Sequence, residues 1–118
     1  MGWTPDHKRM RQTYSPILSA AEKRHEARVQ TSLCFGCGTF GEGIEAHHLM
    51  LPFDGKRWRR DHRYRLPVCV ACHRGQRGIH GFGREALWLS YVGKTLAEAI
   101  ARVKELWCDS EAAERLAA

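Results

Sequence analysis

Four of the five cysteines fall in two identical spacings, Cys34-Phe35-Gly36-Cys37 and Cys69-Val70-Ala71-Cys72, with 31 residues between them. Two C-x2-C pairs supply the closed four-thiolate shell that structural zinc prefers. A site with every position filled does no catalysis, but its binding energy is folding energy, which a 118-residue chain can use. The fifth, Cys108, sits in a helical pattern and reads as a small buried apolar residue.

Histidines form the second set: His47-His48, His62, His73 and His80. Neighbours on a strand point to opposite faces, so His47 and His48 must do different work. One can grip a metal while the other meets solvent or substrate. His73 directly follows Cys72, which fixes it at the start of a helix. His80 lies seven residues further on, roughly 10 Å along a straight helix, too far to share an ion unless the chain turns. Gly75 and Gly78 allow that turn, leaving His80 as a third ligand or as a surface or phosphate-contacting group.

Charge singles out the same region. The formal net charge is +6; residues 1–31 carry +3, residues 32–84 carry +5 and residues 85–118 carry −2. Lys56, Arg57, Arg59, Arg60, Arg63 and Arg65 crowd into ten residues around Trp58 and Tyr64, with Arg74 and Arg77 beyond. Such a run suits a polyanion, because each neutralised phosphate releases counterions. A solvated loop is the plainer reading. Nothing resembles a base-reading motif, and the aromatic residues leave single-stranded or branched DNA open as substrate.

The elements that must hold these groups give an α+β order. Residues 1–14 read as a basic arm. Ser15-Pro16 reads as the N-cap and first position of a helix reaching Gln30. The centre reads as knuckle, strand near Ile44–Leu49, long loop, returning strand Tyr64–Val68 with Pro67 at an edge, knuckle, short helix. Helices then follow over Arg84–Val92, closed by Gly93, and from a Thr95-Glu98 capping box, with Leu96, Ile100, Val103 and Trp107 as its inward face. The divisions are 1–31 (arm and first helix), 32–92 (zinc-stabilised domain) and 93–118 (C-terminal helix packing on it). The absence of a long apolar run and of a leader-like start sets a cytoplasmic expectation.

C-x2-C, then Ala46-His47-His48-Leu49, then Leu66-Pro67-Val68-Cys69-x2-Cys72-His73 resembles the HNH endonucleases, the ββα-metal fold with an added four-cysteine zinc site. More narrowly, with Ile79-His80-Gly81, it resembles small phage HNH proteins related to the recombination-enhancement nuclease Ref. The resemblance spans about residues 34–90 and implies a ββα-metal core flanked by helices. It implies a metal-dependent DNA endonuclease of low sequence specificity, in a phage or mobile-element setting. His47 and His73, with His80, would hold a catalytic Mg²⁺ or Mn²⁺, at a site Zn²⁺ can also occupy, and His48 would be the general base. The pattern's usual Asn, nine positions before the helix histidine, is Tyr64 here, so Asp61 and His62 are the nearby candidates to orient the base. The alternatives are a catalytically weak or inactive DNA-binding module, an accessory to a recombinase filament, or an adaptor in which both sets serve folding. Oligomeric state is not written in the residues.

Overall fold

The computed structural model describes residues 17–50 and 60–117. The arm, Ser15-Pro16 and the loop cations Lys56, Arg57 and Arg59 lie outside the described residues.

Helix α1 spans Ala20–Val29, and its cap is Ser19. Ser19 Oγ accepts from Glu22 N–H while Glu22 accepts from Ser19 N–H, satisfying two otherwise orphaned donors. This corrects the expected start near Ser15: Ser19-x-x-Glu22 is the stronger start signal because it satisfies both ends reciprocally.

Strands β1 (Ile44–His48) and β2 (Arg65–Cys69) pair antiparallel, with Ala46 opposite Pro67 and His48 opposite Arg65. Leu49 N–H donates to Tyr64 O at 3.1 Å, which makes 47/66 and 45/68 the bonded pairs and turns the backbone groups of 46 and 67 outward. Pro67 therefore costs the ladder no bond. Its outward carbonyl accepts from Phe35 N–H at 2.8 Å, seating the first knuckle against β2. The outward carbonyl of Ala46 is taken by the Arg65 guanidinium, which also pairs with Glu26 of α1.

Beyond β2, α2 (Val70–Arg74) and α3 (Ile79–Phe82) are short; α4 covers Glu85–Val92 and α5 covers Leu96–Ala117. Gly93, with φ of 75°, ends α4 in a left-handed cap. The Thr95-Glu98 capping box forms as its sequence implies.

One core gathers Leu66, Val68, Ile79, Trp88, Leu89, Ala99 and Val103; a second joins Val29, Ala46 and Leu106 on the other side of the hairpin. The buried line of α5 is Ala99, Val103, Leu106 and Ser110, one residue round from the expected face, and Leu96 is 39% exposed. Small residues at 99 and 110 let the helix lie close, and Ser110 receives a partner that apolar periodicity does not register. Cys108 is exposed, not buried, because the same rotation carries it outward.

That partner is His25, fully buried on α1. Its Nε2 must donate to the Arg63 carbonyl at 2.9 Å, so Nδ1 accepts from Ser110 Oγ at 2.6 Å. One neutral imidazole thus joins α1, the chain entering β2, and α5, and Trp107 meets it edge-on.

Burial pushes the His25 pKa below its ordinary 6.5, with Arg65 and Arg28 acting the same way against the Arg63 carbonyl. The unfolded chain therefore takes up a proton that the fold resists. This contribution is complete above pH 6.5 and is lost as pH falls below it toward the folded value. Urea unfolding of His25→Gln should show a shallower decline below pH 6.5 than the native chain; equal slopes would remove His25 as the cause. Ser110→Ala should cost about 1–3 kcal/mol by orphaning His25 Nδ1.

Candidate metal centres

The four-cysteine cluster is set by both ends of the hairpin. Cys69 closes β2 and caps α2, its sulfur accepting from Cys72 N–H at 3.4 Å; Cys34 does the same for Cys37 N–H at 3.5 Å. Sulfurs aimed at a common point by amides at both knuckles are the geometry that the C-x2-C spacing implies. The four Sγ atoms lie within 4.8 Å of one another, and Cys37 and Cys69 are 3.6 Å apart. Two sulfurs about 2.3 Å from a tetrahedral zinc would be separated by about 3.8 Å. The cysteines are therefore positioned to hold one metal ion, and four sulfurs are the ordinary donor set of structural zinc.

The thiols are pulled in opposite directions. Hydrogen bonding with Thr39 brings Cys37 down to about 6, whereas burial raises Cys69 and Cys72. A cation at the centre resolves that conflict by stabilising all the thiolates together. Trp88 closes the site from α4: a Cβ on Gly36 would lie 2.6 Å from its ring and 3.0 Å from Cys72 Sγ, so only glycine fits inside that knuckle.

The second centre lies on the Glu45/His47 face of β1. His47 comes from the strand, His73 from α2 and His80 from α3, and their ligating atoms fall within 4.8 Å of one another. His47 Nδ1 is 3.1 Å from His73 Nε2, which is 3.1 Å from His80 Nε2. The chain turns after Gly75, bringing His80 back over α2. The turn is tight enough that a Cβ on Gly78 would lie 2.5 Å from Ala71 O.

Carboxylates fix how two of these rings present themselves. The buried Glu85 of α4 bonds His47 Nε2, and Glu45 Oε1 bonds His73 Nδ1 at 2.6 Å. Ionised carboxylates only accept, so those nitrogens carry the protons and His47 Nδ1 and His73 Nε2 face one another with bare lone pairs. That contact calls for a proton or a metal ion between them. Nitrogens bound at about 2.0–2.1 Å to a tetrahedral ion stand about 3.3 Å apart, so the donor set fits one. Burial lowers the His73 pKa, which favours the unprotonated ligand form, although Glu45 pulls the other way. A cavity of about 490 Å³ opens beside His47 and His80, walled by Met50, Ile79, Arg84 and Glu85.

His48 leaves the opposite side of β1 and its Nε2 stands 2.9 Å from Nδ1 of the buried His62. Burial, then Arg65, His62 and Arg60, push its pKa down to about 3, so the ring is neutral near pH 7. Asp61 gives both carboxylate oxygens to Arg63. Among the expected phosphate contacts, Arg60 and Arg77 are exposed, Arg74 is exposed but paired with Glu45, and Arg63 is half-buried on Asp61. Arg65 is corrected to an interior role: it is 5% exposed and held by Ala46 and Glu26. Sequence reasoning missed Glu45 and Glu85. Glu45, two residues before His47 on the same strand face, was legible by period; Glu85, 38 residues from its partner, was not.

The chain matches no protein-family model, and the comparisons with curated proteins and with solved structures found no match. Among the described residues, no helix is long and apolar enough to cross a membrane.

Cys69→Ser should lose bound metal and stability together, read by metal analysis and thermal unfolding of the same preparation. A variant that stays folded and fully loaded would rule out the four-cysteine centre.

Proposed function

We propose that the chain is a zinc-stabilised, metal-dependent DNA endonuclease of the HNH type. The observation that carries this reading is the convergence of His47, His73 and His80 nitrogens beside an open cavity, with a neutral histidine at the very next position of the strand. The four-cysteine cluster, immediately before His73, would be structural.

His47, His73 and His80 would hold a divalent ion, which when bound would supply Lewis-acid stabilisation of the scissile phosphate and its leaving oxygen. His48 is the general base. If its Nε2–H donates to His62, its Nδ1 keeps a lone pair to take a proton from water. His62 holds the ring in that tautomer, the work that Asn does at position 64 of the family pattern. Arg60 and Arg77, with the basic loop before β2, contact the backbone, so binding is weakly sequence-specific and steeply salt-dependent.

A second reading, a DNA-binding module without cleavage, is favoured by Tyr64. Its carbonyl accepts from Leu49 N–H and its ring lies under Arg63 at 5.0 Å, a structural occupation of the usual Asn position.

Supercoiled plasmid incubated with Mg²⁺, Mn²⁺ or EDTA separates the readings. The nuclease nicks it with metal and not with EDTA, and His48→Ala lowers the rate by about 10²–10⁴ while retaining fold, bound zinc and DNA affinity. Nicking by His48→Ala at the native rate would remove His48 as base. No nicking by the native chain, with intact salt-sensitive DNA binding, selects the module.

A further inference from the structure

The histidine cluster is braced by two carboxylates on its far side. Glu85 is 7% exposed, and its partner His47 is equally buried. The same Glu85 carboxylate also accepts from the Met50 backbone N–H at 2.9 Å, the point where the chain leaves β1 for the loop. Glu45 reaches His73 from β1 and is itself held by Arg74, at 2.6 Å to Nη2 and 3.1 Å to Nε. Each carboxylate therefore sits on the ring nitrogen pointing away from the cluster, and leaves the nitrogen facing the cluster without a proton.

Accepting from the outer N–H makes an imidazole a stronger donor through its inner nitrogen, and it locks ring rotation and tautomer. Three imidazole nitrogens, two of them preset by carboxylates, suit borderline transition ions. Magnesium demands oxygen donors and parts reluctantly with water. We propose that Glu85 and Glu45 are positioning residues that preset the histidine cluster for a first-row transition ion and against Mg²⁺. The inference rests on reading that cluster as a metal site, but not on whether the bound ion cuts DNA.

The arrangement assigns unequal parts to the two carboxylates. Glu85 is buried and ties His47 to the Met50 backbone, so its loss affects both ligand geometry and the end of the strand. Glu45 is more exposed, its side chain retaining 27% of its accessible surface, so its loss affects His73 and the exposed Arg74 but no buried group.

The test is Co²⁺ binding to the full chain with its four-cysteine site already loaded with zinc, followed by visible d–d absorption. Thiolate charge-transfer bands in the near ultraviolet would reveal any Co²⁺ that entered the cysteine site instead. The native chain should bind one Co²⁺ with nitrogen-dominated bands, undisturbed by a large excess of Mg²⁺. Glu85→Ala and Glu45→Ala should each weaken Co²⁺ by about 10–100-fold. Glu85→Gln and Glu45→Gln keep an acceptor oxygen but lose the charge, and should fall between alanine and native. A merely structural role would leave Co²⁺ affinity and band positions unchanged in every variant that folds. Should Glu85→Ala fail to fold, Glu45→Ala carries the test.

Native affinity in folded alanine variants would overturn the proposal, as would a native chain that binds no Co²⁺ outside the cysteine site or loses it to Mg²⁺. Tight, carboxylate-dependent Co²⁺ binding without any plasmid nicking would leave the proposal standing and remove the nuclease reading alone.

Discussion

Cys69 and Cys72 carry more of this structure than any other pair of residues. Cys69 is at once the last residue of β2, the N-cap of α2 and a member of the sulfur cluster. Four thiols gathered within 4.8 Å cannot all ionise without a cation, and burial already opposes ionisation at two of them. A metal ion held there would therefore close the hairpin as it bound, supplying folding energy that a small core lacks. His73 is covalently next to Cys72, so whatever fixes the sulfur also fixes the first turn of the helix that delivers the imidazole.

The same constraint orders the remaining parts. Residues Glu45 and His47 share one face of β1, and α2 is the element the cysteine cluster lays across it. The turn after α2 then has little freedom: Gly78 approaches the Ala71 carbonyl too closely for a side chain, and the chain reverses to place His80 against His73. Trp88 packs on the first knuckle at Gly36 while Glu85, one helical turn earlier, reaches His47. Helix α4 thereby joins the sulfur cluster to the nitrogen cluster. The far face of the hairpin is closed differently, by the Arg65–Glu26 pair and the His25–Ser110 bond.

What the sequence made legible is what short-range chemistry dictates. Two C-x2-C pairs, the strand after the first, the turn at Gly75 and Gly78 and the Thr95 capping box depend on residues a few positions apart. The misses depend on partners far along the chain. Ser110 is inward because His25, 85 residues away, needs a donor; Arg65 is inward because Ala46 presents an outward carbonyl and Glu26 a carboxylate. An apolar stripe through Leu96, Ile100 and Trp107 was a reasonable face by hydrophobicity. Close helix packing selects small residues instead, and periodicity counts Ala and Ser as weak signals. Cys108 fell with that rotation.

In the proposed reading, the two neighbouring histidines would let the pattern lose a residue and keep its logic. Because β1 is extended, His47 and His48 must part to opposite sides, and each meets a different environment: a carboxylate and two imidazoles for one, a buried imidazole and nearby guanidinium groups for the other. The first environment favours donation of a lone pair to a cation; the second disfavours a positive ring and keeps the lone pair free for a proton. In the proposed reading, an orienting group at His48 needs only to accept one hydrogen bond from within the fold. The Nδ1 atom of His62 can do that as well as an amide oxygen can. Tyr64 is then released to a backbone and stacking role, and the asymmetry between ligand and base persists because it is set by the strand's two faces.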